Sequence, residues 1–244
     1  MPEKSLCAPL AVVTGAARRL GKAIACELAA RGYAIGLHYH NSEAEAIKTA
    51  VELRAVGAQV LLLPGDLTDP VEIEQVFRQL DGQPHLLRVL VNSAAVMPRG
   101  DLHEMTAKEW DYVMALNLRA PWLCAQQAAR RMTEGGVIIN ISDSGAHKTW
   151  SRYPAYVISK NGLETLTRLL AKTLAPAIRV NGVAPGLVLP KEDLSAEEWQ
   201  KLIDRLPLKQ AGSPAAVAQT VVFLVENAHI TGETIVVDGG YQLV

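Results

Sequence analysis

Aromatic residues and cysteines are scarce in this sequence of 244 residues. Only 5% of the residues are aromatic whereas 49% are hydrophobic, so the core must be aliphatic. An aliphatic core suits buried parallel strands that are covered by Ala-rich helices. The three cysteines, Cys7, Cys26 and Cys124, lie far apart in the chain and form no CxxC pattern. We therefore expect reduced thiols, and neither a disulfide framework nor a metal site.

An excess of charge, a long apolar run and a signal peptide are also missing. The formal net charge of −1 is unlike the basic surface of a nucleic-acid-binding protein. No apolar run approaches the roughly 18 residues that a membrane span needs, and the segment from Met1 to Pro9 has no apolar core typical of a signal peptide. We expect a cytoplasmic protein that acts on a small molecule, with neither a nucleic acid nor a membrane as partner.

Short β-rich runs alternate with longer helical patterns along the whole chain. The predicted strands are Leu10–Thr14, Tyr33–Tyr39, Ala58–Leu63, Val89–Val91, Gly136–Ser142, Ile178–Gly182 and Thr234–Asp238. The predicted helices are Leu20–Arg31, Ser42–Val56, one beginning at Asp69-Pro70, a long stretch Thr106–Arg131 that contains Pro121 and could be bent, Ala155–Leu174 and one capped by Ser213-Pro214. This alternation predicts an α/β fold with a parallel sheet and helices on both faces, in a single domain over residues 1–244. The polar segment Pro190–Leu206 interrupts the pattern, and we interpret it as a mobile helical insert on the substrate side.

A turn rich in small residues joins the first strand to the first helix. It reads Thr14-Gly15-Ala16-Ala17-Arg18-Arg19-Leu20-Gly21. Small residues let a backbone approach a pyrophosphate, and the N-terminus of the helix adds free N–H groups and a partial positive charge. In this position the turn predicts a dinucleotide site. Its candidate contacts are Gly15, Arg18, Arg19 and Leu20.

The end of the second strand indicates which dinucleotide is bound. Enzymes that use NAD usually place an acid there to hold the ribose 2′-hydroxyl, but this sequence has no acid before Glu43. Polar donors together with the two arginines of the neighbouring turn favour a 2′-phosphate, so NADPH is the expected cofactor. The candidate contacts are His38, His40, Asn41 and Ser42. Since His38 and His40 point the same way along a strand, one of them could simply be packed.

Further candidates follow other strands at the same edge of the sheet, where ligands bind in this class of fold. Asp66-Leu67 follows the third strand and could accept a hydrogen bond from an adenine amino group. Asn92-Ser93-Ala94 ends the fourth strand in small residues, against which a ribose could lie. Pro185-Gly186 follows the sixth strand and suits contact with a flat ring. Ordinary turns would look similar in each case.

Tyr156 and Lys160 are the candidates for proton transfer. They are one helical turn apart and share a face, and an ammonium group favours the phenolate and lowers the pKa of a tyrosine. Of the six tyrosines, only Tyr156 has a lysine four residues later. Asp143 closes the fifth strand at the ligand edge. Asn117 lies within a predicted helix, where asparagine is poorly suited unless its side chain binds something; an exposed polar residue is the alternative.

In their order and spacing these residues resemble the short-chain dehydrogenase/reductase superfamily over essentially the whole chain. The motifs are Thr14-Gly15…Gly21, Asp66, Asn92-Ser93-Ala94, Asn117, Tyr156-x-x-x-Lys160, Pro185-Gly186 and Asp238-Gly239-Gly240. The resemblance implies a Rossmann fold with seven parallel strands and an NAD(P)-dependent reduction of a carbonyl or imine. It implies that Tyr156 donates the proton, that Lys160 lowers its pKa and holds the nicotinamide ribose, and that Asn117 anchors a water relay. Many members are tetramers, so a homotetramer is expected.

At two positions the sequence differs from the usual superfamily pattern and resembles that of the pteridine reductases instead. Arg19 stands where the superfamily usually has Gly, and Asp143 stands where it usually has Ser, thirteen positions before Tyr156. The resemblance places His40 and Ser42 near the 2′-phosphate and lets Arg19 reach both phosphate and substrate. Pteridine reductases commonly carry an aromatic residue in the loop after the Asn-x-Ala stretch, whereas this loop offers Met97, which can also pack on a ring. The candidate substrate contacts are Arg19, Met97, Asp143 and Tyr156.

The sequence thus favours an NADPH-dependent reductase that acts on a pterin, whose C=N bonds need a hydride and a proton. A general carbonyl or 3-oxoacyl thioester reductase that tolerates Asp143 is the alternative among enzymes. A non-catalytic NADP-binding sensor or scaffold is the alternative of another class. A sensor needs only the cofactor half, so the presence of Tyr156, Lys160 and Asn117 favours an enzyme.

Overall fold

A computed structural model of the chain describes residues 7–190 and 194–244, which form seven parallel strands in one sheet. The strands are β1 (Leu10–Val13), β2 (Ala34–Tyr39), β3 (Val60–Pro64), β4 (Leu87–Asn92), β5 (Gly136–Ile141), β6 (Ile178–Pro185) and β7 (Thr234–Val237). Their spatial order is β3-β2-β1-β4-β5-β6-β7. The predicted single-domain Rossmann fold with a seven-stranded parallel sheet is confirmed.

Helices cover both faces of the sheet. They are α1 (Arg19–Ala30), α2 (Glu43–Ala55), α3 (Pro70–Arg78), α4 (Ala107–Met114), α5 (Ala120–Arg131), α6 (Pro154–Leu174), α7 (Ala196–Ile203) and α8 (Pro214–Glu226). One apolar layer packs α1, α2 and α8 against the sheet, and a second layer packs α3, α5 and α6 against the opposite face. Because both faces are covered, every residue of β1 and β2 is buried, which explains their nearly continuous apolar sequences.

The predicted helix starts are explained by side-chain caps. The carboxylate of Asp69 accepts a hydrogen bond from Val71 N at 2.7 Å ahead of α3, and the Ser213 hydroxyl accepts one from Ala216 N at 3.1 Å ahead of α8. Each cap satisfies a backbone donor that the first helical turn leaves without a partner.

The predicted insert, Pro190–Leu206, contains α7, which begins with a reciprocal capping box between Ser195 and Glu198. Its residues 191–193 lie outside the described part of the chain. The helical content of the remainder agrees with the prediction, and its mobility stays a prediction.

Some element boundaries differ from the predicted ones. The sixth strand does not end at Gly182 but continues to Pro185, since it is paired on both sides with β5 and β7. Pro185 is therefore the last residue of a central strand, and Gly186 N donates to Val237 O at 3.0 Å. The prediction also lacks a 3₁₀-helix at Ser144–Lys148, which is separated from the end of β5 by two residues.

The strand order reverses direction between β1 and β4. Helices that connect strands on opposite sides of this point lie on opposite faces, which leaves a crevice at the carboxyl ends of the strands. The turn after β1 and the segments that follow β2, β4 and β5 all meet at this edge. Among the described residues, no helix is both long and apolar enough to cross a membrane.

Candidate active site

The turn after β1 is shaped by two glycines in close contact. Gly15 adopts a positive φ of 65°, a conformation that residues with a side chain rarely take. Gly21, in the first turn of α1, lies so near that an added Cβ would be 2.3 Å from the carbonyl oxygen of Gly15. The turn is therefore compact and presents backbone at the N-terminus of α1, as a phosphate-binding turn requires.

A threonine hydroxyl fixes this turn to the end of β4. Thr14 Oγ1 accepts hydrogen bonds from Ser93 N at 2.9 Å and from Ala94 N at 3.1 Å. The backbone of the predicted Asn92-Ser93-Ala94 stretch is thus held beside Gly15. The side chain of Asn92 itself is buried and donates to Asn140 Oδ1 at 2.8 Å.

His38 holds the turn after β1 through hydrogen bonds to backbone, and its role as a cofactor contact stays a prediction. The ring is 2% exposed; Nδ1 accepts a hydrogen bond from Gly15 N at 3.1 Å, and Nε2 lies 3.1 Å from the carbonyl oxygen of Gly65. Burial lowers the pKa of His38 to about 4, so the imidazole is neutral and Nε2 carries the hydrogen. Both ring nitrogens are occupied by backbone, and of the two predicted histidines His38 is the packed one.

A cavity of about 340 Å³ opens at this edge of the sheet. Its lining includes the following predicted cofactor contacts: Gly15, Arg18, Arg19, Leu20, His38, His40, Ser42, Asp66, Leu67, Ser93 and Ala94. His40 and its neighbour Asn41, also a predicted contact, are both exposed. Of the two, His40 belongs to the lining and Asn41 does not. The structure thus brings the cofactor candidates from four separate segments to one crevice.

Arg19 connects the phosphate-binding turn with the start of the predicted insert. Its φ of 52° is in the left-handed region, and its guanidinium Nη2 donates to the carbonyl oxygen of Pro190 at 3.0 Å. The side chain consequently spans the space between the turn after β1 and Pro190. Met97 lies in the loop after β4 and is half-buried.

The proton-transfer candidates meet at the end of β5. The Tyr156 phenol donates to Asp143 Oδ2 at 2.6 Å, and the other oxygen of this carboxylate accepts from Gly145 N at 2.7 Å. Lys160 Nζ donates to the carbonyl oxygen of Ile141 at 2.7 Å and lies 5.7 Å from the centroid of the Tyr156 ring. Both α6 side chains are buried. The structure therefore groups the three residues that sequence spacing proposed.

The electrostatics of Tyr156 differ from the prediction that Lys160 lowers its pKa. Burial, followed by the charge of Asp143 and the hydrogen bond to it, raises the pKa of Tyr156 well above its usual value. Burial also lowers the pKa of Lys160 to about 8, against the opposing effects of Asp143 and Glu164. Burial and the carboxylate of Asp143 both raise the pKa of Tyr156, so the phenol stays protonated at neutral pH.

Asn117 lies in a π-helical turn, Ala115–Arg119, between α4 and α5. Its side chain accepts from Val96 N at 2.9 Å and donates to Val96 O at 2.8 Å and to Ser159 Oγ at 3.1 Å. The wider helical turn lets a buried asparagine clamp the loop that carries Met97, so the exposed-residue alternative is wrong. Such π-turns are frequent at functional sites.

Sequence reasoning missed one buried acid next to this group. Glu164 lies one helical turn after Lys160, accepts from Ser142 Oγ at 2.9 Å, and is 3.0 Å from His147 Nε2. Its spacing from Lys160 equals that of Lys160 from Tyr156, so the shared helical face was a signal available in the sequence.

Backbone N–H groups and arginines allow the crevice to bind an anionic dinucleotide. At the end of β5, a buried phenol with an ammonium group nearby can transfer a proton. Over the part of the chain that is described, no cluster of three or more His, Cys, Asp and Glu side chains could hold a metal ion.

Comparison with known proteins adds independent information. A family model described as enoyl-(acyl carrier protein) reductase matches residues 15–242. The 3-oxoacyl-[acyl-carrier-protein] reductase FabG of Staphylococcus aureus is 34% identical over 240 residues, which cover 96% of this chain and 98% of that protein.

Two solved structures are similar over almost their whole length. FolM alternative dihydrofolate reductase 1 from Brucella suis, in complex with NADP, matches with a TM-score of 0.92 and 32% identity and covers 98% of this chain and 97% of its own. A blue fluorescent protein from a metagenomic library, in complex with NADPH, matches with a TM-score of 0.91 and 33% identity over 98% of this chain and 99% of its own.

Proposed function

The chain belongs to the short-chain dehydrogenase/reductase superfamily, and on that premise we propose that it is an NADPH-dependent reductase whose substrate is a pterin. The observation that carries the substrate class is the 2.6 Å contact between Tyr156 and Asp143. A carboxyl group at this position can pair with the aminopyrimidine edge of a pterin, whereas the serine usual in the superfamily offers only one hydroxyl.

The crevice fits the dinucleotide. A side chain at Gly21 would collide with Gly15, so the absence of one keeps the turn compact at the N-terminus of α1. Arg18, Arg19, His40 and Ser42 line the cavity near the end of β2. These groups can hold the phosphates, and no acid at the end of β2 repels a 2′-phosphate. The two structural relatives that were crystallised with NADP and NADPH support this choice.

NADPH held by the turn after β1 and by the residues at the end of β2 would supply a hydride to the C=N bond of the substrate. Tyr156 supplies the proton, which its raised pKa keeps on the phenol until the substrate nitrogen becomes basic. Asp143 holds and orients the heterocycle, and Lys160 stabilises the phenolate that remains. Asn117 fixes the backbone of Val96, the residue before Met97 in the loop after β4.

A 3-oxoacyl thioester reductase is the second candidate, because the relative from Staphylococcus aureus carries that activity in its name. The same phenol and ammonium groups could protonate a ketone oxygen. In that case Asp143 would have no heterocycle to pair with, and its negative charge would lie near a developing oxyanion, which it disfavours.

A screen of NADPH oxidation separates these candidates. The purified protein is given dihydropterins, simple ketones or acetoacetyl thioesters at equal concentrations, and absorbance of NADPH is followed. The proposal expects the highest kcat/KM for a dihydropterin. A higher value for acetoacetyl thioesters would favour the second candidate, and tight NADPH binding without turnover of any substrate would favour a sensor or scaffold.

We also propose that the protein assembles as a homotetramer. Large apolar side chains are exposed on α5 and α6, among them Trp122, Ile158 and Leu169, and on β7, where Val236 is 38% exposed. Burying these side chains between subunits would be favourable. Light scattering coupled to size-exclusion chromatography tests this, since a monomeric mass would contradict it.

A further inference from the structure

Three consecutive residues at the end of β5, Ile141 to Asp143, each contact one side chain on the same face of α6. The contacts are Ile141 O with Lys160 Nζ at 2.7 Å, Ser142 Oγ with Glu164 Oε1 at 2.9 Å and Asp143 Oδ2 with Tyr156 Oη at 2.6 Å. The partners on α6 are four residues apart, so they lie above one another on one face of the helix. Two of these contacts belong to the proposed proton-transfer group, and the third, between Ser142 and Glu164, does not.

Glu164 is unusually placed for a carboxylate. The residue is 7% exposed, and both oxygens have partners, Ser142 Oγ on one side and His147 Nε2 on the other. Acids are seldom buried unless they are paired and hydrogen-bonded. These two partners hold the negative charge in one place beside the helical turn that carries Lys160.

Lys160 needs such a charge, because it is itself buried. The polar and charged groups around it are the carbonyl of Ile141, the phenol of Tyr156 and the carboxylates of Asp143 and Glu164. Burial disfavours an ammonium group, and nearby carboxylates oppose that effect. Of the two carboxylates, Asp143 is shared with Tyr156, whereas Glu164 has no contact with the phenol.

Taking the reaction itself from the proposed function, we propose that Glu164 is a positioning residue that acts through Lys160. Its carboxylate, held by Ser142 and His147, keeps the buried ammonium group charged and in place near Tyr156. The burial that lowers the pKa of Lys160 to about 8 leaves this charge sensitive to its neighbours at neutral pH.

The test measures the titration of Lys160 directly. The protein is labelled with ¹³C-lysine, and the Cε signal of Lys160 is identified by its loss in Lys160→Arg. In Glu164→Gln, which keeps the shape and removes the charge, the midpoint of the Lys160 titration should fall by on the order of 1 pH unit. Glu226→Gln, which removes a charge from the surface ion pair with Arg31, is the matched control and should leave the midpoint unchanged. An unchanged midpoint in Glu164→Gln would overturn the proposal.

A second variant covers the case in which Glu164→Gln does not fold. Ser142→Ala removes only the hydroxyl that holds Glu164 and should lower the midpoint by less. If a folded Ser142→Ala protein titrates like the wild type, Glu164 is not held in the way proposed, and the inference fails. Circular dichroism melts establish which variants are folded.

The pH profile of kcat/KM gives a separate readout. The loss of activity at high pH should move to lower pH in Glu164→Gln, and Glu164→Asp, which restores the charge, should move it back toward the wild-type position. A reduced rate with an unchanged profile would mean a purely structural role. The NMR titration needs no substrate, so its result stands even if the screen for pterin reduction fails.

Discussion

Tyr156 donates its phenol hydrogen to Asp143 across 2.6 Å, so the proposed acid is bonded to a carboxylate rather than to an ammonium group. The pKa of Tyr156 is raised by burial and by this carboxylate, which keeps the proton on the phenol. A tyrosine in this state is suited to give a proton to a strongly basic nitrogen and poorly suited to accept one. The contact therefore favours the direction of reduction.

Tyr156→Phe should abolish most turnover while leaving the cofactor bound. Removal of a general acid costs roughly 10²- to 10⁴-fold in rate, and kcat with the best substrate of the screen should fall by that amount. The cofactor cavity is lined by other segments, so the Kd for NADPH, measured by fluorescence titration, should remain close to that of the wild type.

Tyr33→Phe is the control for this substitution, because it removes a half-buried phenol just before β2, at the opposite end of the strands from the site. It should behave like the wild type in both assays. If Tyr156→Phe retains full turnover, the phenol is not the acid, and the assignment of the whole proton-transfer group is wrong.

Asp143→Ser should harm the reduction of a dihydropterin more than the reduction of a ketone. The serine keeps a hydroxyl for Tyr156 but cannot pair with an aminopyrimidine edge, so kcat/KM for the pterin should fall by about 10- to 100-fold, the cost of one charged hydrogen bond of roughly 1.5–3 kcal/mol. Kinetics on both substrate classes provide the measurement. A larger loss for the ketone would instead favour the carbonyl-reductase alternative.

Most of the fold follows from hydrophobic pattern and turn chemistry. The caps at Asp69 and Ser213 and the alternation of strands and helices are local features, and the parallel order follows from the lengths of the connections. The end of β6 differs from the prediction because Pro185 and Gly186 indicate a turn locally, whereas pairing with β5 and β7 extends the strand. The boundary depends on pairing with strands that are distant in the sequence, and the local sequence does not indicate such pairing.

Site residues that repeat at helical spacing could be predicted from the sequence. Site residues that come from separate segments and are brought together by the fold could not. Tyr156 and Lys160 share a helical face, as the sequence indicates. The role of His38 depends on Gly15 and Gly65, two residues from other segments, and no local pattern distinguishes it from His40. The raised pKa of Tyr156 likewise comes from burial and from Asp143, thirteen positions away.

The preference for NADPH should depend on the lack of an acid at the end of β2. His40→Asp places a carboxylate in the cavity lining, where it repels a 2′-phosphate and can accept from a ribose hydroxyl. The ratio of the NADPH Kd to the NADH Kd should therefore rise by at least about 10-fold. Asn41→Asp adds the same charge at an exposed neighbour outside the lining and should change the ratio much less. Equal effects of the two substitutions would mean that His40 does not face the cofactor.

The stability of the protein should fall in mild acid because His38 is buried in its neutral form. Its pKa drops from the ordinary 6.5 to about 4 on folding, so between these values the unfolded chain binds a proton that the folded chain excludes. The stabilisation is complete above pH 6.5 and is lost as the pH falls toward 4. It corresponds to ~3 kcal/mol of unfolding free energy, which urea denaturation at a series of pH values measures.

His38→Gln separates this contribution from that of the other ionisable groups, because it has no proton to bind in that range. Its unfolding free energy should be lower than that of the wild type at neutral pH, and the difference should shrink as the pH falls toward 4. His40→Gln removes an exposed histidine instead and should keep the wild-type dependence on pH. A constant difference between wild type and His38→Gln at every pH would show that His38 is able to take up a proton in the folded protein, which its contacts with Gly15 N and Gly65 O argue against.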